Sequence, residues 1–183
     1  MRKGEFIALI GGFGSGKSSV LNAVLGEMYS EGSRIHLNGS VASQSPWIFN
    51  NTIKNNIIFG ETFDEDRYQK ALYFSCLETD MRLFANGEET MIGERGSTLS
   101  GGQKARISIA RALYKQADIY IFDDVLSALD AHVTAFIFKE TFTRYLKGKT
   151  ILLATHLVNY LDQVDRVFSV LNGNLSLVIY EKK

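Results

Sequence analysis

The residues Gly11-Gly12-Phe13-Gly14-Ser15-Gly16-Lys17-Ser18 constrain this chain more than any other stretch. They fit the pattern G-x-x-x-x-G-K-S/T. Before them lies the apolar run EFIALI at 5–10, and after them SSVLNAVLGEM at 18–28 carries apolar residues at helical spacing. Strand, glycine-rich loop and helix in that order form a cradle for phosphate. The glycines let backbone N–H groups turn inward, and the helix amino terminus adds a favourable dipole. Lys17 reaches the β- and γ-phosphates and the Ser18 hydroxyl ligates Mg²⁺. The candidate contacts are therefore Gly11, Gly12, Phe13, Gly14, Ser15, Gly16, Lys17, Ser18 and the adjoining Ser19.

Such a loop needs a second metal carboxylate at the end of a neighbouring strand. IYIF at 119–122 is a continuous apolar run of the kind buried in parallel sheets, and it ends in Asp123-Asp124. A parallel arrangement brings Asp123 to the sheet edge where the phosphate loop lies, which is where ligands of such sheets bind. Asp124 then stands where a carboxylate can orient or deprotonate a water in line with the γ-phosphate. The plainer reading of the pair is a cap on the next helix. No N-K-x-D base reader of the GTPase type is present.

The remaining pattern alternates strands and helices, as in an α/β fold with a parallel sheet. Alternating apolar positions around Asn38-Gly39 predict a small hairpin over 34–42, and residues 51–86 read as mostly helical. A basic helix is expected at 102–116, a further helix around 132–146, a strand in KTILLAT, and a terminal hairpin about Asn172-Gly173. Residues 1–49 and 100–183 thus form the sheet core of one domain, and 50–99 a helical subdomain.

Composition narrows the setting. The 183 residues carry zero formal net charge, which gives no electrostatic case for nucleic acid or an anionic membrane. Cys76 is the only cysteine, so no internal disulfide is possible, and a reducing, cytosolic face is the simplest setting. His36, His132 and His156 are too far apart in sequence to suggest a metal cluster. No stretch reaches the ~20 apolar residues that a spanning helix needs. Lys104, Arg106, Arg111 and Lys115 read as the solvated or interdomain face of a helix, because no aromatic residues interleave them as in a nucleic-acid patch. Trp47 and Phe49 fit either the core or a docking surface.

A second glycine cluster, Leu99-Ser100-Gly101-Gly102-Gln103, opens the basic helix, where Ser100 and the amides of Gly101 and Gly102 form a second anion site. The pentapeptide LSGGQ is the signature of the ATP-binding cassette ATPases, and the chain resembles that family along nearly its whole length. Gln44 in VASQSPW resembles the Q-loop, Ser127-Ala128-Leu129-Asp130 the D-loop, and His156 in LLATHLV the switch histidine. SQSPWIFNNTIKNNIIFG and GERGSTLSGGQKARISIARALY are similar to the first nucleotide-binding domain of the multidrug-resistance-associated, C-type transporters.

The resemblance implies a P-loop NTPase (RecA-like) core with an inserted helical subdomain, binding ATP and Mg²⁺. It implies head-to-tail pairing with a second nucleotide-binding domain, so that Ser100, Gly101, Gly102 and Gln103 meet the partner's ATP. Gln44 would sense Mg²⁺ and the γ-phosphate, His156 would clamp that phosphate and Asp130 would link the two sites. Transmembrane domains are the other implied partners, with the cassette on the cytosolic face and transport driven by hydrolysis. Asp124 departs from the Glu of fully active cassettes. This favours weak turnover or, as a second reading, a nucleotide-sensing module. A soluble DNA-repair or translation cassette would need a coiled-coil arm or extra basic surface. Cassettes also open with antiparallel strands that stack an aromatic on adenine; Gly11 arrives almost at once here, so a truncated front edge is expected.

Overall fold

Ile7 and Leu9 face one side of a strand and Phe6 and Ala8 the other, and all four are buried. A strand can bury both faces only inside a covered sheet, which is why its sequence is an unbroken apolar run. In a computed structural model describing residues 1–28, 39–93 and 98–179, this strand, β1 (Phe6–Ile10), lies inside a six-stranded sheet. The others are β2 (Gly39–Ala42), β3 (Ile119–Asp123), β4 (Thr150–Ala154), β5 (Arg166–Leu171) and β6 (Asn174–Val178). Their order is β2-β3-β4-β1-β5-β6. Every pairing is parallel except β5 with β6, which bears out the expected α/β fold with a mostly parallel sheet. Residues 1–5 carry no strand.

Two apolar layers cover this sheet. Leu21 on α1 (Lys17–Val24) packs with Ile7, Leu9, Ile121, Leu152 and Val170 on one face. On the other face Phe6, Phe122, Phe138 and Phe142 form a larger core, with Phe122 and Phe142 ring centroids 4.6 Å apart. Each fully buried side chain of this size is worth about 1.5–3 kcal/mol. Phe138 and Phe142 belong to a π-helical stretch, Ile137–Tyr145, that continues α6 (Ala131–Phe136).

Two helices, α2 (Ile53–Ile58) and α3 (Glu65–Phe74), gather on the long helix α5 (Gly101–Tyr114), and α4 (Glu78–Leu83) is tied to it through Asp80. Thr52 and Asp64 cap α2 and α3 by accepting from Asn55 and Arg67 backbone N–H groups. No helix among the described residues is long and apolar enough to cross a membrane.

Some expectations shift. The strand Gly39–Ala42 pairs parallel with β3, while the first arm of the expected hairpin lies outside the described residues. Arg106 and Arg111 do not line a solvated face. The Arg106 side chain is 13% exposed and paired with Asp80, and Arg111 donates to Asn56 O at 2.7 Å and Trp47 O at 2.8 Å. Burial pushes the Arg111 guanidinium down to about 10. Trp47 is 62% exposed, so it is no core residue; it stacks on Phe49 at 5.5 Å and meets Phe59 edge-on at 5.8 Å.

Candidate phosphate-binding site

β1 ends at Ile10 and α1 begins at Lys17, so the glycine loop bridges a strand end to a helix amino terminus. Gly14 and Gly16 take φ of 72° and 103°, a region that favours glycine. A Cβ at Gly11 would lie 2.6 Å from both Ser15 Oγ and the Val170 carbonyl oxygen, so nothing larger fits. The loop is buttressed from β5–β6, because Gly173 N donates to Ser15 O at 3.1 Å. Lys17 Nζ donates back across the loop to Gly11 O at 2.9 Å and Gly12 O at 3.0 Å, which aims its ammonium into the cradle. Ser15 Oγ is buried with no hydrogen-bond partner among the described residues.

Parallel pairing brings the ends of β1, β2, β3 and β4 to one edge: Ala42 is in register with Phe122, Asp123 with Ala154, and Ala154 with Leu9. Residues 11–19, Gln44, Asp123, Asp124 and His156 thereby line one cleft of about 520 Å³. Asp124 sits just past β3 at φ 48°, its N–H donating to Ala154 O at 2.9 Å and its carbonyl accepting from Ser127 Oγ at 2.7 Å. Its carboxylate is held twice. Gln44 Nε2 donates to Oδ2 at 3.1 Å, and His156 Nδ1 lies 3.0 Å from Oδ1. Two residues that are weak signals singly thus converge on the Asp124 carboxylate in the cleft.

This cleft fits a nucleotide phosphate with a hard divalent ion. The donors are the Ser18 hydroxyl, the Asp123 carboxylate and the Gln44 amide oxygen, a set suited to Mg²⁺. The unpartnered Ser15 hydroxyl and the cradle closed by Gly11 leave room and polarity for an anion.

The second glycine cluster does not line that cleft. Ser100 caps α5 in a capping box: Ser100 Oγ accepts from Gln103 N at 3.2 Å while Gln103 Oε1 accepts from Ser100 N at 2.9 Å. Accepting that bond uses a lone pair and leaves the hydroxyl proton to donate outward. A Cβ on Gly102 would come within 3.2 Å of Ala128 O, whereas one on Gly101 would meet nothing within 4 Å among the described residues. Asp130 lies elsewhere again and caps α6 by accepting from His132 N and Val133 N at 3.0 Å each. Those bonds, the one from Val133 foremost, hold its carboxyl below the usual range.

Sequence reasoning missed Asp80, a buried acid on α4 that contacts Gln103 and Arg106. Nothing local announces it, since its partners lie 23 and 26 residues away.

A family model described as "ABC transporter" matches residues 1–127. The chain is 47% identical over 180 residues to ABC transporter C family member 8 of Dictyostelium discoideum, covering 96% of this chain and 11% of that protein. It is 48% identical over 176 residues to ATP-binding cassette sub-family C member 2 of Homo sapiens, covering 94% and 11%. It is 42% identical over 178 residues to the vacuolar heme ABC transmembrane exporter abc3 of Schizosaccharomyces pombe, covering 95% and 12%. The chain therefore spans about a tenth of the length of these relatives.

Proposed function

The chain belongs to the ABC transporter family, and from that premise we propose that it binds and hydrolyses ATP as one of two cassettes driving a C-type exporter. The observation that carries this reading is the convergence of residues 11–19, Gln44, Asp123, Asp124 and His156 on one cleft, with Ser100 and Gly101 held outside it. Gly101, which no contact among the described residues requires to be glycine, keeps space free at a helix amino terminus for a phosphate that this chain's own loop does not hold.

In this mechanism the loop amides and Lys17 bind the β- and γ-phosphates of ATP. Ser18, Gln44 and Asp123 would hold Mg²⁺, which when bound neutralises charge on the phosphates. Asp124 takes a proton from a water whose oxygen attacks the γ-phosphorus, and the bond to the β–γ bridging oxygen breaks to leave ADP. His156 clamps the γ-phosphate. Gln44 Nε2 at 3.1 Å and His156 Nδ1 at 3.0 Å hold the two oxygens of the Asp124 carboxylate, which fixes its direction in the cleft. The signature residues Ser100, Gly101, Gly102 and Gln103 close on the partner's ATP, and Asp130 links the two sites. The Trp47–Phe49–Phe59 cluster, exposed at Trp47 and Phe59 and with Arg111 4.8 Å over the Phe59 ring, is the face offered to the transmembrane domains at the cytosolic side of the membrane.

The test pairs this chain with a cassette carrying Glu at the catalytic position. Ser100→Arg is expected to abolish ATP turnover at the partner's site while ATP affinity at the Gly11–Ser18 loop is unchanged; undiminished turnover would refute the shared site. Asp124 supports the second reading, a nucleotide-sensing module of very low turnover, and single-turnover hydrolysis of radiolabelled ATP separates the two.

A further inference from the structure

Asp80 is the one acid of α4 that the fold draws inward, its side chain 11% exposed. Its two oxygens serve two donors on α5. Oδ1 accepts from Gln103 Nε2 at 3.0 Å, and Oδ2 accepts from Arg106 Nη2 at 2.7 Å. The oxygen of the same Gln103 carboxamide accepts the Ser100 N–H. A glutamine at an open helix start would sample several rotamers, each carrying the cap with it. Here the one carboxamide bridges Asp80 and Ser100, with its nitrogen and its oxygen each held.

Arg106 closes the other side. A Cβ on Gly102 would stand 3.5 Å from its Nη1 and 3.2 Å from Ala128 O, so the guanidinium and the loop after β3 both close on the space beside Gly102. A nearly buried ion pair is poor value for stability alone, because desolvation of both charges offsets most of their attraction. A carboxylate that instead aims a functional group has a reason to be there.

We infer that Asp80 is a positioning residue for the Ser100 site: it sets the direction of the Ser100 hydroxyl and the Gly101 amide through Gln103, and so couples the placement of α4 to the nucleotide those groups meet. This rests on the proposal that residues 100–103 act on the partner's ATP. It predicts that a small shift of α4 is delivered to Ser100 through two hydrogen bonds in series.

The experiment uses the full chain, paired with a partner cassette whose own site turns over. Asp80→Ala removes both bonds, and the isosteric Asp80→Asn keeps one acceptor while losing the charge. By hydrogen exchange, the Gln103 amide of Asp80→Ala is expected to exchange about tenfold faster than in the parent, with exchange in the 11–19 loop unchanged. At the partner's site kcat is expected to fall about tenfold or more while KM for ATP stays put, since a misplacement near 1 Å can cost about 100-fold. ATP affinity at this chain's own loop is expected not to change. Asp80→Asn is expected to lie between, and it decides the matter if Asp80→Ala does not fold. Unchanged exchange at Gln103 overturns the inference. So does unchanged kcat in a pair that Ser100→Arg silences, which would leave the shared site standing. If Ser100→Arg is itself silent, the shared site fails and the inference falls with it.

Discussion

Replacing Asp124 with Glu adds one methylene to a side chain whose backbone is pinned. The Asp124 N–H is bonded to Ala154 O at 2.9 Å and its carbonyl to Ser127 Oγ at 2.7 Å, so the backbone gives little and the carboxylate moves out into the cleft. That advance is about 1 Å or more, and a misplacement of 1 Å costs on the order of 100-fold in rate, so Asp124→Glu is expected to raise turnover by about ten- to 100-fold. In barrier terms this is about 1.4–2.7 kcal/mol. The same change has a folding cost. Position 124 sits at φ 48°, which Asp tolerates better than Glu, and the extended carboxylate leaves its places opposite Gln44 and His156. A loss of about 1 kcal/mol corresponds to roughly 2–4 °C in Tm for a domain of this size. The assay is steady-state phosphate release from a pair whose partner lacks its own phosphate-loop lysine, so that only this chain's loop turns over. ATP affinity is read in parallel with a fluorescent analogue. Turnover unchanged or lowered, with ATP affinity intact, refutes the reasoning that reach limits Asp124.

Gly11→Ala is expected to lower ATP affinity at least about tenfold and to cost about 1–3 kcal/mol of stability, because its Cβ would stand 2.6 Å from Ser15 Oγ and the Val170 carbonyl. Isothermal titration and thermal melting check both, and affinity within about twofold of the parent would show that the cradle yields. Burial pushes the Cys76 thiol from 9.0 up to about 11, so at pH 8 its reaction with a disulfide reagent should be about 100-fold slower than that of an ordinary thiol, recovering in denaturant. Because the folded value lies above the unfolded one, the stability it contributes is full below pH 9 and is lost as pH rises through about 11. Reaction in the native chain as fast as that of a small thiol would remove the premise.

Strands β1, β3 and β4 were legible because burial on both faces demands unbroken apolar runs, and β5–β6 because Asn172-Gly173, at φ 50° and 76°, supplies a turn matched to twisted strands. What could not be read was direction of burial on helices. Charge at a helix position is scored as solvent-facing unless a distant partner is known, and the partners of Arg106 and Arg111 lie 26 and 55 residues away. The pairing of Gly39–Ala42 with β3 was hidden for the same reason, since the neighbour is some 80 residues downstream. At the site, residue identities were visible but their contacts were not. That Gln44 and His156 both grip Asp124 follows only from three strand ends meeting at one edge.

The strand that carries the phosphate loop has neighbours made late. β1 pairs with β4 and β5, and the loop leans on Gly173, about 160 residues beyond Ser15. At roughly 5–20 residues per second, a ribosome needs on the order of ten to thirty seconds to supply those partners. For that interval β1, apolar on both faces, lacks its β4 and β5 neighbours, and the loop lacks the Gly173 support. Nucleotide can reward the phosphate loop only once β4, β5 and Gly173 are in place around it. Damage to the β5–β6 turn, about 160 residues from the phosphate loop in sequence, should therefore surface first as failed assembly of that loop.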